Sequence, residues 1–310
     1  MTGGDSKFAE GPFAGKTLSE VWPAMPLEWV GTAIARDPAF PLLVKFIFTE
    51  DKLSVQVHPD DAHAARFEHS AGGRGKTEMW YACSARASAQ VMVGLKAEVT
   101  REQFERAIAD GTAEACLQHI PMHNGDAIFV PAGTAHTIGP GLVLCEIQQQ
   151  SDLTYRVYDY NRRDTQGRSR TLHVEKALAV MRFGAQLGGK VAPVVISRGA
   201  LTKTFLAACR YFATEKWDFA EHTYCESTRE HFALLIVLEG SGHIHVGCER
   251  LEYCPAQVWL IPAALGKFEM KPSKRTSLLR TWVPSNLDAV RRELAAKGVR
   301  ESEILRVVHE

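Results

Sequence analysis

Hydrophobic and polar residues alternate in short runs after residue 41, a pattern typical of half-buried β-strands. Gly, Pro and Asn-Gly turn signals separate most of these runs. Six runs are predicted to be strands: 42–48, 53–58, 78–83, 89–95, 126–131 and 142–150. Short strands at this spacing favour a sandwich or barrel over a parallel sheet.

Helical periodicity appears in three places. Residues 100–118 have an apolar stripe, and Thr100 followed by Gln103 forms a capping box. A second helix is predicted over 172–183. A third follows Ser285 as N-cap and stops at Gly298. Residues 1 to about 40, rich in Pro, Gly and aromatic residues, are expected to form an irregular cover over a sheet.

The second half of the chain again has β character. A Gly-rich stretch at 184–193 indicates a boundary, and strands are predicted at 232–247, 253–262 and 277–283. Each half has a strand followed by Pro-Ala, which hints at a duplicated barrel. We therefore expect a mainly β fold of two jelly-roll-like β-barrels with a few peripheral helices. The expected domains are 1–188 and 189–310.

Composition and charge exclude several classes of protein. The chain has 310 residues, with 36 Lys plus Arg balanced by 36 Asp plus Glu, so nothing in the charge favours nucleic acid or an anionic membrane. No apolar stretch approaches the ~20 residues of a membrane-spanning helix, and the start lacks a signal-peptide pattern. Seven cysteines without a CxxC pair indicate reduced thiols. We expect a cytoplasmic protein, monomeric or weakly dimeric.

A candidate metal site comes from three segments. Gln56 and His58 stand two apart on a predicted strand and so share a face; Glu78 follows Lys76 with the same spacing, and His136 lies in a turn. A barrel lining could bring Gln56, His58, Glu78 and His136 together, a nitrogen and oxygen set that suits zinc and tolerates Fe, Mn or Co. The alternative is that both histidines are satisfied core or turn residues.

Two other groups of polar residues are candidates for a functional site. His63 and His69 form a second cluster, which fits a solvated helix or loop face better than a metal site. The run 142–163 places Glu146, Gln148 and Gln150 on one strand face and continues into a polar segment. That segment contains Asp152, Tyr155, Arg156, Tyr158 and Asp159. The run lines either a pocket or a solvated edge, and the neighbouring candidate metal site favours the pocket.

Four motifs occur in order: LSVQVHPDD, GKTEMWY, PAGTAHTIG and EIQQQSDLTYRVYDYNR. Together they resemble the short bacterial form of the type I mannose-6-phosphate isomerases, of the cupin superfamily, continuously from about residue 42 to 173 and more loosely to the end. The resemblance implies a two-cupin fold with one zinc per subunit in the N-terminal, catalytic half. The implied ligands are Gln56, His58, Glu78 and His136, of which Gln56 is the least certain.

The resemblance also implies a reaction, the interconversion of mannose 6-phosphate and fructose 6-phosphate through a cis-enediol. It makes Arg156 the active-site arginine and Lys76 another active-site cation, and it puts Ser54 near the substrate phosphate. Like charge from zinc and Arg156 would lower the pKa of Lys76 and suit it as base. Asp152 competes for that role, with Glu146 behind it. Lys45 is a further phosphate candidate, unless it faces outward.

The second half is expected to lack a metal. His243 and His245 have the spacing that cupins use, but the corresponding turn after the strand has no histidine. Trp259 and Phe232 are expected to be core aromatics. Two other functions stay open at this stage: a cupin metalloenzyme that uses iron and oxygen, and a non-catalytic protein that binds a sugar phosphate.

Overall fold

The computed structural model describes residues 6–32, 34, 38–69, 73–184 and 188–310. The chain forms two compact units. The first unit is Leu42–Val191, and the second unit combines Met1–Pro41 with Ala192–Glu310. The later division falls inside the expected Gly-rich boundary, whereas the expected division into 1–188 and 189–310 had put the N-terminal segment with the first half.

Aromatic packing explains where the N-terminal segment belongs. It contains helices α1 (Leu18–Val21) and α2 (Leu27–Val30) and a 3-10 turn, Trp22–Ala24. The rings of Trp22 and Phe40 lie 6.0 and 5.0 Å from that of Phe232, and the Phe232 N–H donates to the Val30 carbonyl. These buried rings fix the segment to the second unit.

The first unit is built from two antiparallel five-stranded sheets. Its strands are β1 (Leu42–Thr49), β2 (Val55–Val57), β3 (Glu78–Ala85), β4 (Gln90–Leu95), β5 (Leu117–Pro121), β6 (Ala127–Val130), β7 (His136–Ile138), β8 (Leu142–Gln149), β9 (Tyr155–Tyr158) and β10 (Gly189–Lys190). Its helices are α3 (Asp61–Phe67), α4 (Arg101–Ala109), α5 (Val174–Val180) and a 3-10 turn, Ala113–Cys116. The strand orders are β1-β8-β3-β6-β10 and β5-β4-β7-β2-β9.

Side chains on alternate faces of β2 contact either the hydrophobic core or the candidate site. Val55 and Val57 of β2 pack in one cluster with Phe104 of α4 and Leu178 of α5. Because side chains alternate along a strand, the intervening Gln56 leaves from the opposite face of β2. The second core cluster joins the two sheets and includes Trp80 of β3.

One larger antiparallel sheet forms most of the second unit. Its strands are β11 (Val194–Ser197), β12 (Leu201–Ala208), β13 (Ala213–Phe219), β14 (Thr223–Glu226), β15 (Ala233–Val246), β16 (Glu249–Tyr253), β17 (Val258–Ile261) and β18 (Lys267–Trp282). A 3-10 turn, Ala263–Leu265, precedes β18, and helices α6 (Leu287–Ala296) and α7 (Glu301–Val307) follow it. The order is β11-β12-β13-β18-β15-β16, with β14 on β18 and β17 on β15.

The mainly β prediction is confirmed, although the sheets of the described residues are open hydrogen-bonded paths rather than closed barrels. All six strands predicted in the first half are present within a few residues of their expected bounds. No two cysteines among the described residues form a disulfide. In the part of the chain that the structure describes, no helix is long and apolar enough to cross a bilayer.

Several predicted bounds were wrong, among them the strand of 277–283, which begins at Lys267. The helix of 100–118 ends at Ala109, because Gly111 takes a positive φ of 72° and residues 117–121 leave to pair with β4. The strand of 253–262 is interrupted by a turn in which Ala256 has φ 67°. Helix α6 is capped by Asn286, whose side chain accepts from the Ala289 N–H at 2.8 Å, and not by Ser285.

Candidate metal centre

Cross-strand pairing brings the metal candidates of distant segments together. Gln56 of β2 lies opposite both His136 of β7 and Arg156 of β9. In the other sheet, Glu78 of β3 lies opposite Gln148 of β8. Strand pairing therefore brings together residues that stand about 80 positions apart in the chain.

Three side chains converge at this point. His58 Nε2 lies 3.6 Å from Glu78 Oε2, and His136 Nε2 lies 3.4 Å from Glu78 Oε1. All three residues are buried, and their ligand atoms lie within 4.8 Å of one another. No other group of three His, Cys, Asp or Glu residues among the described positions is this close.

The second nitrogen of each imidazole is held by the backbone. His58 Nδ1 donates to the Leu153 carbonyl at 2.7 Å, and His136 Nδ1 donates to the Thr134 carbonyl at 2.9 Å. A carbonyl can only accept, so each Nδ1 carries the hydrogen and each Nε2, within 3.6 Å of Glu78, keeps its lone pair for a donor or a ligand bond. Burial, followed by the charge of Lys76, lowers the pKa of His58 well below its usual value. Burial also lowers the pKa of His136 to about 4, so both rings are neutral at pH 7.

This donor set fits a divalent cation. Both carboxylate oxygens of Glu78 are buried without a hydrogen bond of ordinary geometry, although Lys76 Nζ lies 2.6 Å from Oε2. Two neutral imidazoles and one carboxylate are the ligands of many catalytic zinc sites, which keep a further position open. The alternative of satisfied core histidines explains the Nδ1 bonds but not the convergence of both Nε2 atoms on one buried carboxylate.

Gln56 lies at the edge of the cluster. Its amide Nε2 is 3.2 Å from His136 Nε2. Since an amide can be turned to exchange its oxygen and nitrogen, the same position can present an oxygen ligand. The structure therefore places Gln56 next to His136, and its role as a ligand stays a prediction.

Lys76 connects Glu78 to a second carboxylate, that of Glu146. Lys76 Nζ lies 3.1 Å from His58 Nε2 and 3.9 Å from Glu146 Oε1. Burial alone lowers the pKa of Lys76, but the carboxylates of Glu78 and Glu146 outweigh this and raise it. Among the protein's own groups, carboxylates and not Arg156 are the charges nearest to Lys76. The lowered pKa expected beside zinc stays a prediction.

Glu146 is buried at the centre of this network. Trp80 Nε1 donates to its Oε1 at 3.1 Å, and Lys45 Nζ lies 3.9 Å from its Oε2. Burial and the charge of Glu78 raise the pKa of Glu146 to about 7. Lys45 therefore faces the site instead of pointing outward, and it also pairs with Asp152 at 2.7 Å. The Asp152 side chain is 61% exposed.

Arg156 and Ser54 form a separate polar group next to Gln56. The Arg156 Nε donates to Ser54 Oγ and its Nη1 to the Thr171 carbonyl, both at 3.1 Å. Its Nη2 donates to no described residue. Burial and the neighbouring Arg170 lower the pKa of Arg156, but a guanidinium stays charged in proteins.

Comparison with known proteins agrees with this geometry. The family model "Phosphomannose isomerase type I, catalytic domain" matches residues 2–85, and "Mannose-6-phosphate isomerase, cupin domain" matches residues 201–278. A mannose-6-phosphate isomerase of Streptococcus mutans is 38% identical over 80% of this chain and 75% of its own length. This chain belongs to the type I mannose-6-phosphate isomerase family. A probable mannose-6-phosphate isomerase of Bacillus subtilis is 37% identical over 86% of this chain and 82% of its own length.

Solved structures of the family share the fold. The crystal structure of a mannose 6-phosphate isomerase from B. subtilis superposes with a TM-score of 0.81 at 32% identity, covering 89% of this chain and 85% of that one. A putative mannosephosphate isomerase from Archaeoglobus fulgidus superposes with a TM-score of 0.67 at 20% identity, over 86% of this chain and 79% of its own. Together with the cupin-domain family model, the match to the B. subtilis structure confirms the cupin assignment.

Two residues that support the site were not predicted from the sequence. Trp80 supports Glu146, and Gln149 binds the backbone of Thr77 between Lys76 and Glu78. Neither residue type signals chemistry by itself. The second histidine cluster remains outside the site: His63 Nδ1 pairs with Asp60 of its own helix start at 2.7 Å, and His69 is exposed.

Proposed function

We propose that this protein is a mannose-6-phosphate isomerase that interconverts mannose 6-phosphate and fructose 6-phosphate through a cis-enediol, with one zinc ion per chain. The observation that carries the proposal is the convergence of His58, Glu78 and His136, with Lys76 and Glu146 beside them. The names of relatives that align with 80% or more of the chain support the reaction.

The reaction has two chemical needs. A C–H beside a carbonyl must become acidic, and the oxygen charge of the enediol must be stabilised as the proton moves between C1 and C2. A bound divalent cation supplies Lewis-acid polarisation of those oxygens. His58, Glu78 and His136 would hold it, and Gln56 lies where its amide oxygen would complete the set.

We assign proton transfer to Glu146 and Lys76 because of where they lie. Both are buried next to Glu78, and Trp80 fixes one oxygen of Glu146 while the other faces Lys45. Asp152 is mostly exposed and already paired with Lys45. We therefore propose that Asp152 orients Lys45 and does not act as the base.

The phosphate and remaining hydroxyls need cationic donors. We propose Arg156, Ser54 and Lys45 for this role. The Nε and Nη1 atoms of Arg156 bind Ser54 and Thr171, so its Nη2 donors are available to a substrate. The buried Ser54 holds the guanidinium in place. A planar guanidinium suits a phosphate or a developing enediol oxygen. We further propose a cytoplasmic location, where such sugar phosphates occur and thiols stay reduced.

A coupled assay with mannose 6-phosphate tests the proposal. Treatment with a chelator should abolish turnover, and zinc should restore it without oxygen present. His58→Asn should lower kcat/KM by at least about 1000-fold, because it removes one of three ligands. His63→Asn, a histidine exchange on the nearby α3, is the matched control and should stay within about twofold of wild type. Turnover that survives chelation, or equal losses in both variants, would refute the proposal.

A further inference from the structure

Residues 160–173 form a hairpin-like segment that leaves the end of β9 and returns beside the same strand. Two consecutive non-glycine residues at its start take positive φ, which turns the chain sharply. The two limbs then run antiparallel, with a bridge between Arg163 and Ser169. Every residue from 163 to 172 is exposed, so hydrophobic burial contributes little to the position of this segment. Polar contacts must therefore fix it.

Asp159, at the base of the segment, binds both limbs with one carboxylate. Its side chain is 7% exposed. From the outgoing limb, Arg162 Nη2 donates to Asp159 Oδ1 at 2.6 Å, and Arg162 Nη1 also donates to the Lys52 carbonyl at 2.6 Å. From the returning limb, Arg170 donates to both oxygens of Asp159, with Nε 2.7 Å from Oδ2 and Nη2 on Oδ1. A two-pronged pair of this kind fixes direction as well as distance, so Arg170 is held firmly at the base.

The returning limb in turn holds Arg156. The carbonyl of Thr171, the residue after Arg170, accepts from Arg156 Nη1 at 3.1 Å. The His173 N–H donates to the Arg156 carbonyl at 2.7 Å, and His173 Nδ1 accepts from the Arg156 N–H at 3.3 Å. At the other end of the guanidinium, Arg156 Nε donates to Ser54 Oγ. These contacts fix the plane of the guanidinium and leave Nη2 for the substrate.

We propose that Asp159 and Arg170 are positioning residues that aim the guanidinium of Arg156 at the substrate. They act through the Thr171 carbonyl, which they hold in place for Arg156 Nη1. This role rests on the proposed function, because that function assigns Arg156 to the substrate.

The location of Arg156 makes its direction important. Arg156 lies opposite Gln56 on paired strands, and Gln56 lies opposite His136 on its other side. Directly paired residues share a face of the sheet, so the Arg156 side chain leaves from the face that carries the metal candidates. A displacement of about 1 Å there can lower the rate about 100-fold. The Arg170 side chain is 51% exposed, and exposed ion pairs contribute little to stability, so its pair with Asp159 should matter more for the reaction than for the fold.

Two arginines of the segment allow a matched test. Arg170→Gln removes the two-pronged pair but leaves Asp159 one guanidinium partner, so the buried carboxylate stays compensated. Arg168→Gln removes a similar pair at the tip of the segment, where Arg168 Nε lies 3.0 Å from Asp164 Oδ2. We expect kcat/KM for mannose 6-phosphate to fall at least about tenfold in Arg170→Gln and to stay within about twofold in Arg168→Gln. Asp159→Asn should lower it at least as much, and Arg170→Gln keeps the test decisive if that variant does not fold.

A background variant separates positioning from a general effect on the fold. If Arg170 acts through Arg156, adding Arg170→Gln to Arg156→Gln should change kcat/KM by no more than about twofold. A repeated tenfold loss in that background would overturn the proposal.

Exchange of the Arg156 Nε–H with water, followed by NMR of the 15N-labelled full chain, measures the positioning without turnover. We expect this exchange to be at least about tenfold faster in Arg170→Gln and unchanged in Arg168→Gln, because the bond to Ser54 depends on a guanidinium held at both ends. A loss of activity with unchanged exchange would mean that Arg170 contacts the substrate itself, and would overturn the proposal. Wild-type protein without turnover would instead refute the proposed function, and the exchange rates would still decide whether Arg170 positions Arg156.

Discussion

Gln149 controls the site without touching any ligand atom. Its amide oxygen accepts from the Thr77 N–H at 2.8 Å, and its amide nitrogen donates to Asp61 Oδ1 at 3.1 Å. Thr77 stands between Lys76 and Glu78, so this one side chain links the segment that carries both to the start of α3. Its neighbour Gln150 makes no side-chain hydrogen bond with any described residue.

Gln149→Leu should therefore lower kcat by about 10- to 100-fold, since displacement of a reacting group by about 1 Å has an effect of this size. Loss of one buried and one part-buried hydrogen bond should also lower the free energy of unfolding by about 1–3 kcal/mol. Gln150→Leu is the control and should change neither quantity. The coupled assay and urea unfolding measure both, and equal effects in the two variants would contradict the positioning role.

Residue type and spacing pick out the three side chains that converge, but not the residues that hold them in place. His58 and Glu78 each stand two positions after another polar residue, and His136 follows a turn that contains Pro and Gly. Gln149 and Trp80 act through partners 72 and 66 positions away, and only the strand register brings those partners together. The carboxylates next to Lys76 were missed for the same reason, since the sequence shows which charges exist but not which are nearest.

Elements were predictable where alternation lasted for six residues or more. The strands β1, β3, β4 and β8 follow such runs, whereas β5, β7 and β9 have only three to five residues and exist because a neighbouring strand supplies hydrogen bonds. Helix ends depend on single side chains. Ser285 and Asn286 are both good N-cap types, and sequence alone could not choose between them.

The cap of α6 gives a direct test at this scale. Asn286→Ala should lower the free energy of unfolding by about 1 kcal/mol, because the Ala289 N–H loses its acceptor. Ser285→Ala, at the exposed neighbouring position, should lower it by less than about 0.3 kcal/mol. Thermal and urea unfolding of the two variants measure the difference. A larger loss in Ser285→Ala would mean that the helix starts one residue earlier.

At the scale of the whole molecule, acid should lower the free energy of unfolding because of His231. This side chain is 8% exposed, its ring stacks on Trp282 at 5.6 Å, and burial, followed by the charge of Arg280, lowers its pKa to about 4. The Phe232 carbonyl and Glu293 oppose this shift only in part. The unfolded chain therefore binds a proton near pH 6.5, where the folded protein does not.

The free energy of unfolding should fall as the pH is lowered from about 6.5 to about 4, by up to about 3 kcal/mol for this group. The contribution is fully present above pH 6.5 and is lost through that window. His231→Gln should flatten the pH dependence by a similar amount. Urea unfolding at pH 7, 5.5 and 4.5 gives the slopes, and an unchanged slope in the variant would exclude His231 as a source of acid sensitivity.

Metal binding should also stabilise the molecule, and the strands that carry the proposed ligands should gain the most protection. The proposed ligands come from β3 in one sheet and from the ends of β2 and β7, which pair with each other in the other sheet. A cation at 1000 times its Kd that binds only the folded chain adds about 4 kcal/mol to its stability. Hydrogen exchange should therefore slow most in peptides covering 55–58, 78–85 and 136–138 when zinc is added to chelator-treated protein. Glu78→Gln should remove this protection, and uniform protection that persists in the variant would place the cation elsewhere.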